Sequence, residues 1–230
     1  MYLQQTNIDS TQFYANVDTA YQLQVGDNLY IRVLSLNKEI NDVFNVNSSS
    51  SSYNLYNNES SMYISGFSIN DSGNVALPIL GEIKLAGETV YGARKKVQMR
   101  LDEYIKDGIA DLKLTSYRFT VLGEVRVPGI YANYNDNLNI FEAVGRAGDI
   151  TEYGNRKEVI IVRPTPEGNV TYKFDLTENN ILASEFYYIR PNDVIYISPL
   201  KYKAWKLNTL NVTLLLSSVS TLILVLNFIK

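Results

Sequence analysis

The side chains able to do chemistry in this chain are carboxylates, hydroxyls and amides, because it has no cysteine and no histidine. Thiol nucleophiles, Cys/His zinc sites, disulfides and histidine-based triads are excluded on residue type alone. Carboxylate pairs remain as a general acid and base. The chain holds 24 Asp and Glu, so some pair always falls at a plausible spacing, and spacing alone selects none. Glu82 follows Gly81 and Glu124 follows Gly123, at turns or strand ends, where a solvated turn residue is the plain reading. Asp27 and Asp193 each interrupt an alternating stretch, where an Asp side chain holds a turn by accepting backbone N–H groups. No GxSxG, GxxxxGKS/T or GxGxxG is present, so catalytic, cofactor-binding and metal residues are all expected to be none.

Hydroxyls and amides also run through the otherwise apolar end of the chain, "TLNVTLLLSSVSTLILVLNFIK". No residue from Leu207 to Ile229 is charged. At ~1.5 Å per residue that run makes a helix of ~34 Å, enough for a hydrocarbon core of ~30 Å. Turned at ~100° per residue, Val212, Leu215, Leu216, Val219, Leu222, Ile223, Leu226 and Ile229 share an arc of roughly 140°. Thr213, Ser217, Ser220, Thr221 and Asn227 fall opposite, mixed with Leu214, Leu224 and Val225. A lone span gains nothing from that segregation, whereas a ring of helices with this face inward would enclose a wet lumen. "KYKAW" (201–205) precedes the run as an interfacial belt does. A simple tail anchor with tolerated polar residues fits the same residues, with Lys201, Lys203 and Lys206 then cytoplasmic. The residues alone leave both readings open; a buried helix of a soluble core fits less well.

The positioning elements precede the tail. The net charge of −3 gives no basic surface for nucleic acid. The 18 tyrosines favour half-buried strands. "MYLQQTNIDS" lacks a basic region followed by an apolar one, so the expectation is a non-secreted protein or a mature form. Residues 1–20 read as an extended arm. "YQLQVGDNLYIRVL" (21–34) reads as strand, turn, strand, and 36–62 as a Ser/Asn-rich loop. "MYISGFSINDSGNVALPILGEIKLAG" (62–87) reads as two strands joined at "NDSGN" in a hairpin. Over 88–108 Val90, Ala93, Val97, Leu101, Tyr104 and Ile105 share a helical face, with Thr89 as cap and Gly108 past the end. "IADLKLTSY" follows as a strand. A second unit has strands around Pro128-Gly129, a short helix over 139–149 ended by Gly145 and Gly148, a hairpin about "TPEG", and a closing stretch, 187–200. The fold class is α+β rather than alternating βαβ. Residues 21–34 and 187–200 align with Tyr21/Tyr187, Asp27/Asp193, Tyr30/Tyr196, Ile31/Ile197 and Leu34/Leu200 identical. Convergent turn chemistry and a true repeat both account for this.

"YQLQVGDNLYIRV" followed by "INDSGNVALPILGEIKLAGETVYGARKKVQMRL" resembles the polysaccharide export domain of Wza-like outer-membrane proteins. Gly26, Asp27, Asp71, Gly73, Leu77, Pro78, Leu80, Gly81, Ile83, Ala86, Gly87 and Thr89 match that pattern in order. "VLGEVRVPGIY", with Gly123, Pro128 and Gly129, "IFEAVGRAGDITEYGNRKEVIIVRP" and "RPNDVIYISP", with Asp193, resemble an SLBB domain, a β-grasp module of the same proteins. The resemblance implies an arm (1–20), an export domain (21–117), an SLBB domain (118–200) and an interfacial segment with a membrane helix (201–230). It implies a non-enzymatic subunit of a ring, an octamer, whose helices form an α-helical barrel through the outer membrane. Capsular or extracellular polysaccharide would leave through it, with the soluble domains in the periplasm and an inner-membrane tyrosine-autokinase copolymerase as partner. The polar helix face would line the lumen or neighbouring helices, and the apolar face would meet outer-membrane lipid. Family members are lipoproteins acylated on an N-terminal Cys; here that Cys would precede Met1, and the arm would be the tether. One SLBB-like unit is visible where some members have two, and the Ser/Asn-rich insertion at 45–62 departs from the pattern.

Overall fold

The computed structural model describes residues 2–3, 14, 20–45, 65–135, 137–202 and 210–229, with the side chains of 210–215 and 229 outside the description. Two apolar cores form, each under its own sheet. In the first, β1 (Asn28–Leu34) is central, with β2 (Phe67–Ser68) antiparallel on one side and β5 (Ile109–Leu114) antiparallel on the other. β3 (Asn74–Leu77) and β4 (Gly81–Lys84) make a separate hairpin. α1 (Lys38–Phe44) follows β1, and α2 (Val90–Asp102) packs on β5. Ala93, Val97 and Leu101 recur at helical spacing, so one stripe of α2 meets Leu29, Val75 and Leu112, all fully buried.

The second sheet runs β7–β6–β10–β8–β9, from β6 (Arg118–Gly123), β7 (Gly129–Ala132), β8 (Gly154–Thr165), β9 (Gly168–Phe174) and β10 (Val194–Pro199). The last strand enters the middle, parallel to β6 and antiparallel to β8. α3 (Ile140–Arg146) lays Ile140, Ala143 and Val144 on Phe119, Val121, Ile161 and Ile195. A capping box starts it: Asn139 accepts the Glu142 N–H and the Glu142 carboxylate accepts the Asn139 N–H. α4 (Leu210–Ile229) ends the described chain.

Several expectations are corrected. Residues 38–44 of the stretch read as a loop form α1, because Asn37 caps the Glu39 N–H at 2.9 Å and Ile40 and Phe44, one turn apart, reach the first core. The insertion beyond 45 lies outside the described residues, as does most of the arm. The "NDSGN" turn forms, with Gly73 at φ +78, yet its flanking strands pair elsewhere. One bond of the expected hairpin survives, Asn70 N–H to the Asn74 carbonyl at 2.9 Å. Ile69 cannot extend it, since its carbonyl accepts from Gly26 and its N–H donates to Asp27. β3 turns at Pro78–Leu80 instead. α2 ends at Asp102, well before Gly108, and Tyr104 beyond its end is half exposed. Gly145 lies within α3, and Gly148, at φ +75, follows it. The limbs before both Asp turns are not ladder strands; each makes an isolated bridge to a helix cap, Gln22 to Thr89 and Tyr188 to Asn139.

Candidate functional site

The two Asp turns are the most tightly bonded features of the described chain. The Asp27 carboxylate accepts the Gln24 N–H at 2.8 Å, the Tyr21 hydroxyl at 2.9 Å and the Ser116 hydroxyl at 3.2 Å. Gly26 precedes it at φ +89, a conformation that glycine adopts without steric penalty. The Asp193 carboxylate accepts the Arg190 N–H at 2.8 Å and the Arg163 guanidinium at 2.8 and 3.0 Å. Arg163 is itself buried; it also donates to the Tyr188 carbonyl at 2.9 Å and lies 4.7 Å from the Phe186 ring centre. Burial pushes the Asp193 carboxyl up, and Arg163 and the Arg190 N–H pull it back. Tyr117 stands between the turns and donates to the Ile189 carbonyl. Burial, then the Asp193 charge, pushes its hydroxyl up; burial, then the Asp27 charge, does the same to Tyr21.

A cleft of about 320 Å³ separates the turns, with Tyr21, Gln22 and Gln24 on one wall and Pro164, Arg190 and Asn192 on the other. Its amides, guanidinium groups and proline rings suit a polar ligand. Glu82 accepts from the Asn74 amide at 3.0 Å and Glu124 from the Thr151 hydroxyl at 3.0 Å. Among the described residues no cluster of three His, Cys, Asp or Glu side chains could hold a metal ion.

The remaining motif residues shape turns. Pro78 and Gly81 flank the β3–β4 turn, with Gly81 at φ +77. Gly123, at φ +87, closes β6 where a Cβ would sit 2.1 Å from the Ile197 carbonyl oxygen, so only glycine fits. Pro128 is exposed and Gly129 opens β7.

On α4, Ser217, Ser220, Thr221 and Asn227 are exposed, and so are Leu216, Val219, Leu222, Ile223 and Leu226. Leu224 and Val225, on the other face, are exposed too. The side chains of Val212, Thr213 and Leu215 lie outside the described residues. The Ser220 hydroxyl donates to the Leu216 carbonyl at 2.9 Å and the Thr221 hydroxyl to the Ser217 carbonyl at 2.8 Å, one turn back. Among the described residues no helix is long and apolar enough to cross a membrane; α4 side chains are described only over 216–228.

Sequence reasoning singled out Asp27 and Asp193 but missed Arg163, Tyr117 and Tyr2. Arg163 sits in an alternating strand, where an inward charge has no local signature, and its partner is fixed only by β8–β10 pairing.

Residues 15–115 match the family described as polysaccharide biosynthesis/export protein. The match contains the Asp27 turn, both small sheets' strands and α2, and it ends before Tyr117 and the second unit. The chain is 29% identical over 147 residues to the EPS I polysaccharide export outer membrane protein EpsA of Ralstonia solanacearum, covering 63% of this chain and 38% of that protein. It is 28% identical over 149 residues to the protein of the same name from Ralstonia nicotianae, covering 63% and 39%. The chain therefore spans about two fifths of the length of the curated relatives it matches. Residues 15–115 are thus similar to polysaccharide biosynthesis/export proteins, and the resemblance to Wza-like export proteins is supported over that stretch.

Proposed function

We propose that the chain is a non-enzymatic subunit of a ring-shaped outer-membrane channel that exports capsular or extracellular polysaccharide. The observation that carries this reading is the export-domain match over residues 15–115, joined by relatives whose printed name is polysaccharide export outer membrane protein. The domain division follows it: arm 1–20, export domain 21–117, SLBB domain 118–200, and interfacial segment with membrane helix 201–230. The order of the second sheet supports the β-grasp reading, since the unit's first and last strands lie side by side and parallel at its centre. Its soluble units would stand in the periplasm, with the arm as a tether to an acylated N-terminus and a tyrosine-autokinase copolymerase beneath.

The tail completes the channel. The full uncharged run from Leu207 to Ile229 crosses the bilayer, with Val212, Leu215, Leu216, Val219, Leu222, Ile223 and Leu226 toward lipid. Thr213, Ser217, Ser220, Thr221 and Asn227 then face neighbouring helices and a wet lumen, as an octamer would arrange them. Hydroxyls there offer weak, exchangeable hydrogen bonds suited to passage of a glycan rather than its retention.

One observation favours a second reading, a tail-anchored β-rich binding protein without a channel. Ser220 and Thr221 satisfy their hydroxyls on their own helix and so need no lumen. Particle mass and shape of the detergent-solubilised chain, with and without residues 207–230, separates the two. A closed ring with a narrow neck that truncation removes is the expected result. A monomer in several mild detergents would establish the anchor instead. Within the ring, Ser217→Lys should alter export without stopping assembly, and undiminished export in several such variants would move the lumen to another face.

A further inference from the structure

Tyr2 packs on the second core although it precedes the first unit in sequence. Its hydroxyl donates to the Asp149 carboxylate, its ring meets Phe141 edge-on at 5.7 Å and 86°, and the Arg156 guanidinium sits 5.3 Å from its ring centre. Leu3 donates its N–H to the Leu176 carbonyl at 3.2 Å, and both residues pack on the second core.

The receiving surface is organised by bonds that do not involve the arm. Arg156 is oriented by donation to the Ile150 carbonyl at 3.0 Å, and the Leu176 N–H returns to the Arg156 carbonyl at 2.8 Å. Asp149, at φ +73, accepts the Ile150 N–H at 2.6 Å. The buried Arg156 Nε has no hydrogen-bond acceptor, while the guanidinium lies 4.0 Å from the Asp149 carboxylate and faces the Tyr2 ring, which attracts its positive charge. An aromatic edge, a cation and a carboxylate acceptor together select tyrosine: phenylalanine satisfies two of the three, and an aliphatic residue only the apolar contact. The chain then re-enters the first unit, where Leu23 is buried and donates its N–H to the Glu88 carbonyl at 2.8 Å.

We propose that the surface formed by Phe141, Asp149, Arg156 and the Leu176 carbonyl is a docking site for the chain's own N-terminal segment. Tyr2 is the recognised side chain. Tyr2 belongs to the arm that the export reading uses as a tether, but label mobility reports the docking and particle shape reports the channel, so the two fail separately.

The absence of cysteine makes a single spin label unambiguous. Gln4→Cys carrying a nitroxide, in the full chain in detergent, is expected to give an immobilised spectrum. Adding Tyr2→Ala or Phe141→Ala should free the label, while Tyr2→Phe should free it only in part; circular dichroism checks that the second unit stays folded. A mobile label in the parent, or a spectrum that Tyr2→Ala leaves unchanged, overturns the proposal. A second label at Glu152→Cys tests the connectivity by pulsed dipolar spectroscopy. A short distance that survives dilution into unlabelled chains supports docking within one chain. Its disappearance on dilution means that arms exchange between copies and overturns the assignment to one chain.

Discussion

Asp27 and Asp193 occupy the same place in two copies of one structural device. Each carboxylate accepts the N–H of the residue three positions earlier at 2.8 Å, and each residue's own N–H returns to that residue's carbonyl, at 3.1 and 3.2 Å. The residue before each lies in the left-handed region, Gly26 at φ +89 and Asn192 at φ +67. The likeness extends outward. Leu23 and Ile189 each donate at 2.8 Å to the carbonyl of the residue before a helix cap, Glu88 and Leu138. Each turn then launches the central strand of its sheet, β1 or β10. The matching residues at 21–34 and 187–200 thus correspond to matching backbone.

The two turns should differ sharply in what their loss does. Asp193→Ala strands the buried Arg163 guanidinium and should destabilise the second unit by about 3–5 kcal/mol. Asp27→Ala loses neutral donors only and should destabilise the first by about 1–3 kcal/mol. Urea unfolding followed by far-UV circular dichroism measures both, and equal losses would refute the ranking.

Glycine is required at Gly123 for two reasons and at Gly81 for one. Both have positive φ, but a Cβ at Gly81 meets nothing within 4 Å, whereas at Gly123 it meets the Ile197 carbonyl oxygen. Gly81→Ala should therefore lose about 1–2 kcal/mol from conformation alone. Gly123→Ala should lose clearly more, because β6 must move away from β10. Thermal melts of the two variants decide the order.

Ile79 is a β-branched residue at φ +66, half exposed in the β3–β4 turn. Such a residue is strained there. Ile79→Gly should relieve about 1 kcal/mol and raise the melting temperature of the first unit. A fall instead would mean that the isoleucine side chain is held by a contact outside the single chain.

The Tyr2 contact should be insensitive to pH across the neutral range. Burial and then the Asp149 carboxylate raise the Tyr2 hydroxyl from its ordinary 10.0 to about 12. Its contribution is complete below pH 10 and is lost as pH rises toward about 12. Burial raises Asp149, but Tyr2, the Ile150 N–H and Arg156 outweigh it, so its carboxyl lies below the ordinary 3.8. That contribution is complete above the ordinary value and disappears as pH falls through the lowered one. The Gln4→Cys label should accordingly stay immobile from about pH 5 to 9 and loosen only at both extremes. Release near pH 7 would point to a different contact.

Local chemistry was legible in the residues. Thr89 announces a helix start because its side-chain oxygen caps the N–H three residues on, a relation that needs no distant partner. Alternation announced β5, β6, β8 and β9 for the same reason: period two is a property of one strand. The short α1 escaped because its Ser/Asn-rich surroundings hide two apolar residues whose partners lie in another strand.

By itself, then, the sequence determined the α+β mixture, the Asp turns, the glycine-dependent corners, the amphipathic α2 and the uncharged final run. Tertiary structure alone decided that β2 pairs with β1 rather than β3, that β10 slides between β6 and β8, that Arg163 meets Asp193, and that Tyr2 reaches Asp149. Each of those depends on which distant backbone N–H and carbonyl groups are still unpaired when the cores close. Ile69 shows the reason: its hydrogen bonds to the Asp27 turn leave none for the adjacent hairpin, and no local period records that choice.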